Sequence, residues 1–499
     1  MKVLLINPAG YESKYKKHKL ISYTAIPLGL AYTAAILEKA GHKVKVLDAA
    51  VIGMDKNDMA RYIKKVKPDA IAFAAFTPSF NYAAEQASHA KEIYPDIPII
   101  MGGMHPTFLP EQSLQLAPAV DYIIRGEGDY TTTNLINALE NNEPNVKDIQ
   151  GLSFRDKGNN GKIYHTPDSP LIKNLDDIPF PARHLFPNDL YHFFGSSLKG
   201  TSIISSRGCN RVCSFCSCTA FYNHRWRARS PKNVVEEMVQ IKQKYNATIV
   251  GFMDDCFALN KKRVFEMCEM MKKTGIHKNL CWGSALRVDH MSYDVLYEMR
   301  KAGCAMLFYG VESGNQRVLD NVQKGTTVSM IEDTFKWARK LGINSIASLA
   351  LGLPGDTFED CLKTIEWVRR KLRPSFVVWA AATPYPGTPF YEEALEKGWL
   401  KEIPTDWSGF TMIDPVLELT DLSKEDVKNL IKYAYKSMHI NIGYLINRLA
   451  YEIKQGMQLY GTFNIFKQFI QVVFPWLFHL KKYGTYSQLP PKNLEEWKD

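Results

Sequence analysis

Ser205-Ser206-Arg207-Gly208-Cys209-Asn210-Arg211-Val212-Cys213-Ser214-Phe215-Cys216 follows an apolar run and carries three of the chain's nine cysteines at spacing C-x3-C-x2-C. Thiolates this close in sequence can converge on one iron–sulfur cluster. Three are one short for a four-iron cluster, so one iron is left open for another ligand. Spacing alone also leaves zinc open, because Cys218 offers a fourth thiolate. Cys256, Cys268, Cys281, Cys304 and Cys361 are scattered and read as core or bystander thiols. An odd cysteine count with three clustered argues against a secreted disulfide framework and for a reducing, cytoplasmic compartment.

Downstream, residues 201–400 alternate apolar runs with helical stretches. The runs are Ser202–Ser205, Ile249–Asp254, Leu280–Ala285, Ala305–Gly310, Ser345–Leu351 and Phe376–Thr383. Six such units predict an open (β/α)6 partial barrel, with its chemistry at the carboxyl ends of the strands. Asp254 and Asp255 stand after the second strand, Arg287 just past the third and Glu312-Ser313 at the fourth. Gly352-Leu353-Pro354-Gly355 follows the fifth and Pro384-Tyr385-Pro386-Gly387-Thr388 the sixth. Asp254 and Asp255 are candidate catalytic carboxylates. Tyr385 is a candidate hydrogen-atom donor, because its O–H can give up a hydrogen atom; Tyr309 and Trp379 nearby read as core.

Upstream, residues 1–145 alternate in the same way. Lys2–Asn7, Lys43–Asp48, Ala70–Ala75, Ile97–Met101 and Asp121–Ile124 read as strands of a doubly wound parallel sheet. Met1–Asn7 reads as a buried strand rather than a leader. Ligands of such sheets sit outside the carboxyl ends of the strands. There lie Asn7, Asp48, Thr77, Gly102-Gly103-Met104-His105 and Gly126-Glu127-Gly128. Glycine turns at successive strand ends admit a large flat or phosphate-bearing ligand. On residues alone, a nucleotide or flavin fits the same edge.

Residues 146–200 are a proline- and glycine-rich connector with one hairpin, Leu152–Arg155 to Lys162–His165, across Asn159-Asn160-Gly161. Residues 401–499 read as a helical extension. Asp421 or Ser423 caps a helix from Lys424 to about Tyr444. Phe463–Phe478 is then amphipathic, and Lys481-Lys482 follow it. That stretch either lies in a membrane interface or packs on the barrel. With no run of about 20 apolar residues, no spanning helix is expected. The net charge is +10; residues 424–482 hold nine Lys/Arg against three Asp/Glu, which suggests an anionic partner surface.

With Phe215 just before its last cysteine, the motif resembles the radical S-adenosylmethionine family. The resemblance implies a four-iron, four-sulfur cluster on Cys209, Cys213 and Cys216. It implies an open iron that takes the amino and carboxylate groups of S-adenosylmethionine, and a 5′-deoxyadenosyl radical from one-electron cleavage. It also implies that Glu312 and Ser313 meet the amino group or ribose, and that Gly352 to Gly355 and Phe215 lie by the adenine; Arg287 reads either as a ligand contact or as a surface or domain-bridging residue. Met253-Asp254-Asp255-Cys256-Phe257 stands where the wider family has Gly-Gly-Glu, as in the cobalamin-dependent branch. Residues 1–145 resemble the cobalamin-binding domain through Pro27-Leu28-Gly29-Leu30, Gly102-Gly103-Met104-His105-Pro106-Thr107 and Gly126-Glu127-Gly128. Cobalamin contacts are therefore expected from Thr77, Gly102, Gly103, His105, Gly126, Glu127 and Gly128. Asp48-Ala49-Ala50-Val51-Ile52-Gly53 lacks the histidine of the D-x-H-x-x-G signature, so no histidine is expected below the cobalt.

The resemblance implies an enzyme that functionalises an unactivated carbon, with C-methylation of an apolar or planar substrate in front. The alternative is oxidative cyclisation or ring rearrangement without methyl transfer, as in the group related to the anaerobic magnesium-protoporphyrin ester cyclase. A third reading is a non-catalytic cobalamin holder or membrane-surface binder. An electron donor such as ferredoxin or flavodoxin is implied. No basic stripe with interleaved aromatics is present, so no nucleic-acid partner is expected.

Overall fold

Val3, Leu4, Leu5 and Ile6 are all fully buried, as expected of a strand covered on both faces. They belong to β1 (Lys2–Asn7) in a computed structural model of the chain. It describes residues 1–10, 25–54, 56–156, 158, 160–191 and 199–439. The first sheet has seven strands, with β1 between β2 (Lys43–Asp48) and β3 (Ala70–Ala74). Next come β4 (Ile99–Gly102) and β5 (Tyr122–Ile124), all parallel. The hairpin of the connector is not free-standing. Its strands β6 (Leu152–Asp156) and β7 (Lys162–His165) add antiparallel to β5, so the first sheet runs past residue 145. Leu152 and Phe154 are buried there, which gives the hairpin its side to pack.

The second sheet has six parallel strands in order β15-β14-β13-β12-β11-β8. These are β8 (Gly200–Ile203), β11 (Ile249–Phe252), β12 (Cys281–Leu286), β13 (Cys304–Glu312), β14 (Asn344–Leu351) and β15 (Phe376–Ala381). Neighbours in sequence are neighbours in space, which is the order of an open barrel. A short ribbon, β9 (Ser206–Arg207) with β10 (Arg227–Ala228), brackets the cysteine loop. Side-chain oxygens of Ser230, Asn260, Thr327, Thr357 and Thr388 cap the barrel helices.

Both open edges are covered. The Arg183 guanidinium donates to the Ser202 carbonyl at 2.7 Å beside β8. Trp379 N of β15 donates to Tyr435 Oη at 3.1 Å. Tyr435 lies on the helix Lys424–His439, capped by Ser423, whose Oγ accepts from Asp426 N at 3.1 Å. The expected extension of that helix to Tyr444 and the amphipathic stretch Phe463–Phe478 lie outside the described residues. Among the described residues, no helix is long and apolar enough to cross a membrane.

One apolar cluster is shared by both halves. It joins Leu4, Ile6 and Phe73 of the first sheet to Phe390, Trp407 and Phe410 beyond the second. Truncating a fully buried Trp such as Trp407 to Ala costs about 3–5 kcal/mol, so the halves are packed as one body.

Candidate functional site

The cysteine loop leaves β9 through Gly208, whose φ is +85°. A Cβ there would sit 2.0 Å from the Arg225 carbonyl oxygen, so only glycine lets the loop tuck under its own ribbon. Gly208 N donates to Asp255 at 2.8 Å, Ser214 N to the Val322 carbonyl at 3.0 Å, and Phe390 N to the Ser214 carbonyl at 3.0 Å. Cys209 and Cys213 are buried, and half-buried Cys216 precedes the helix Ser217–Phe221. A side-chain hydrogen bond with Cys256 pulls the Cys209 thiol below its ordinary pKa. A side-chain hydrogen bond with Cys218 pulls Cys216 down likewise. Burial pushes Cys213 up, against the pull of Lys324 and of Arg287, whose Nη1 lies 3.2 Å from the Cys213 sulfur. Two of the three thiols are thus pulled below their ordinary value, and two cations stand beside the third.

Among the described residues, no three His, Cys, Asp or Glu side chains are placed to hold a single metal ion. Three thiols presented by one short loop, with two cations beside one of them, suit the separate irons of one cluster.

Asp254, a candidate catalytic carboxylate, has three donors in the chain before the cysteines. It accepts from Ser205 N at 2.7 Å, Ser205 Oγ at 2.5 Å and Ser206 Oγ at 2.6 Å. Burial pushes its pKa up. It ties the end of β11 to the chain just before the cysteines. Asp255 holds Gly208 N and accepts a hydrogen bond from Cys218. Both carboxylates brace the loop. Tyr385 is half-buried, and its hydroxyl donates to the Phe410 carbonyl at 3.0 Å.

Glu312 ends β13 with a φ of +64°, just where the pairing of β13 with β14 shifts register after Gly310. That conformation costs a non-glycine residue about 1–3 kcal/mol and marks functional sites more often than neutral ones. Its carboxylate accepts from Lys324 Nζ at 2.7 Å, and that ammonium lies 5.6 Å from the centre of the Phe215 ring. The strand end is thereby linked to the cysteine loop through a buried lysine that no sequence pattern singled out. Ser313 is buried and holds its own turn, accepting from Asn315 N at 3.1 Å. Gly352 (φ +84°) and Gly355 (φ +82°) bracket a turn whose Gly352 N and Leu353 N donate to Asp356 at 3.1 and 3.2 Å. A Cβ on Gly352 would meet Val427 at 3.1 Å, and one on Gly355 would meet Asn321 at 2.4 Å. The chain's own side chains brace this turn on both sides.

At the edge of the first sheet, Thr77 is buried in the turn Thr77–Ser79 beside exposed Phe76. Gly102 packs on Ile124, and Gly103 has a φ of +124° with the Ala75 carbonyl oxygen 2.4 Å from where a Cβ would be. His105 packs inside the protein. It is fully enclosed, its ring centre 4.3 Å from Phe80 and 4.9 Å from Trp407. Burial lowers its pKa to about 3, so its imidazole is neutral where it packs between the halves.

Glu127 is buried as well. Its carboxylate accepts from Arg207 at 2.9 Å, from Arg227 at 2.8 and 3.0 Å, and from Ile172 N at 2.8 Å. Asp129 takes the other side of Arg207 at 2.8 and 2.9 Å. Arg207 precedes the cysteines and Arg227 follows them, so the first domain grips the cysteine loop at both ends. Gly126 N donates to Thr107 Oγ1 at 3.0 Å, and Gly128 opens the helix Gly128–Asn141. Phe108, just past His105, lies 6.2 Å from Phe221 and fills the space where a Cβ on Gly387 would go. The strand ends of the two sheets therefore meet across the cysteine loop. The turn after Asp48 is helical, Ala49–Ile52, with Asp48 accepting from Tyr191 Oη at 2.7 Å.

Residues 20–136 match the B12 binding domain, and residues 203–368 match the Radical SAM superfamily. An uncharacterised methyltransferase of Pyrococcus horikoshii is 34% identical over 446 residues, 89% of this chain and 94% of the relative. The chain belongs to the cobalamin-dependent radical S-adenosylmethionine family. The anaerobic magnesium-protoporphyrin IX monomethyl ester cyclase of Cereibacter sphaeroides is 29% identical over 424 residues, 83% of this chain and 67% of that relative. Among solved structures, the cobalamin-dependent S-adenosylmethionine radical enzyme OxsB, with aqua-cobalamin and S-adenosylmethionine bound, shares the fold. It superposes with a TM-score of 0.69 at 18% identity, over 91% of this chain and 71% of that one. This radical S-adenosylmethionine enzyme thus takes a four-iron cluster, S-adenosylmethionine and cobalamin, and Cys209, Cys213 and Cys216 are the candidate thiolates for the cluster.

Proposed function

We propose that this enzyme methylates an unactivated carbon of an apolar or planar small molecule. When bound, the cluster and S-adenosylmethionine supply a hydrogen-abstracting radical and cobalamin supplies a methyl carrier. The observation that carries the reading is the grip of Glu127 and Asp129 on Arg207 and Arg227, which fixes the cobalamin edge against the cysteine loop as one unit. A methyl carrier and a radical source must both reach one carbon, and a rigid seam between them serves that purpose. The substrate class rests on exposed apolar side chains at the strand ends: Phe76 (55% exposed) after β3, Met253 (45%) after β11 and Val212 (55%) in the cysteine loop. The similarity to a methyltransferase supports methylation; the similarity to the cyclase supports a second reading, oxidative ring closure in the same site. The electron is supplied by a one-electron carrier of the ferredoxin or flavodoxin type.

The test is anaerobic reconstitution with iron, sulfide and hydroxocobalamin, then turnover with S-adenosylmethionine deuterated at its methyl group and candidate lipids or tetrapyrroles. Roughly four irons per chain, bound cobalt, 5′-deoxyadenosine and a product carrying the labelled methyl are expected. An unlabelled, more oxidised product favours ring closure. Iron without cobalt refutes methylation through cobalamin.

A further inference from the structure

Arg287 follows β12 and is only 7% exposed. Its guanidinium is fixed from three directions. Nε and Nη2 donate to the two carboxylate oxygens of Asp289 at 3.0 and 3.1 Å, and Nη2 also donates to the Lys324 carbonyl. Nη1 is left to donate to the Cys213 sulfur at 3.2 Å. Asp289 is itself buried and also pairs with Arg211 of the cysteine loop at 3.0 Å. A carboxylate that takes two edges of the fork leaves the third no freedom to turn, so the N–H stays aimed at the sulfur.

We propose that Arg287 sets the reduction potential of the cluster held by Cys209, Cys213 and Cys216, with Asp289 as the positioning residue that keeps it aimed. This rests on the cluster assignment made above. One-electron reduction adds a negative charge to the cluster and moves no proton. A cation and an N–H donor at a ligand sulfur stabilise that added charge and raise the potential. Burial strengthens the effect, because little water screens it.

The experiment is a mediated redox titration of the reconstituted full-length protein, followed by electron paramagnetic resonance of the reduced cluster, without S-adenosylmethionine. Arg287→Gln removes the cation and keeps a polar side chain. At a fixed potential its ratio of reduced to oxidised cluster is expected to fall about tenfold, or about 59 mV for one electron. Arg287→Lys keeps the charge, loses the fork and is expected to fall in between. An Arg287→Gln protein with its full iron content and an unmoved potential overturns the proposal. So does loss of iron from both variants, which would make Arg287 an assembly residue. Wild-type protein that binds no iron refutes the cluster assignment instead, so the two failures are distinct.

Discussion

Lowering the pH is expected to loosen the junction between the two halves through His105. Its ring is fully buried between Phe80 and Trp407, and burial brings its pKa down to about 3. In the unfolded chain the same ring titrates near about 6.5. The folded value is the lower one, so on acidification the unfolded state takes up the proton first. The contribution to stability is whole above about pH 6.5 and is lost progressively as the pH falls toward about 3. At pH 5 the unfolded ring is protonated roughly thirtyfold over neutral, which removes about 2 kcal/mol from the folded state; at pH 7 the loss is about 0.2 kcal/mol. His105→Phe keeps an aromatic ring in the cage and abolishes the titration. Every other titrating group is common to both proteins and cancels in the comparison. At about 1 °C per kcal/mol for a single body of some 400 residues, the variant's melting temperature relative to wild type is expected to rise by about 2 °C between pH 7 and pH 5. Differential scanning calorimetry at the two pH values reads this directly. A difference that stays the same at both pH values refutes the enclosure of His105.

Glu127→Gln strands Arg227 and half of Arg207 in a buried seam and is expected to cost about 3–5 kcal/mol, read as a lower melting temperature and faster proteolysis between the halves. Serine at Cys209, Cys213 or Cys216 is expected to abolish iron retention, whereas Cys361→Ser, buried in the barrel core, is expected to retain it; iron analysis after reconstitution distinguishes them. Gly103→Ala forces a side chain into the Ala75 carbonyl at a φ of +124° and is expected to cost at least about 1–3 kcal/mol, with weaker cobalamin retention on gel filtration.

The sequence was most legible where one stretch carries the whole signal. The C-x3-C-x2-C spacing, the apolar strands and the glycine turns at their ends are local, and the parallel order of both sheets follows from them. What it hid depends on partners far apart in the chain. Glu127 looked like part of a ligand turn because its guanidinium partners lie 80 and 100 residues away. Asp254 and Asp255 looked catalytic because paired carboxylates at a strand end are consistent with acid–base work, yet Ser205, Ser206 and Gly208 of the preceding strand and loop had prior claim on them. His105 sits in a glycine-rich turn that reads as a ligand loop, and only the arrival of Trp407 from 302 residues on encloses it. Lys324 carries no motif; its meaning comes from Glu312 and Phe215 meeting around it. Cys256, read as a bystander, turns out to share a hydrogen bond with Cys209.

The seam built by Glu127, Asp129, Arg207 and Arg227 also sets terms for making chimaeras. A barrel grafted onto the first half of a relative keeps its two arginines whatever that relative brings. Unless the donor half supplies carboxylates at both positions, two guanidiniums face each other in a closed joint and the thiol loop loses its clamp. Exchange of halves among such enzymes therefore has to match these four side chains as well as the apolar cluster that both halves share.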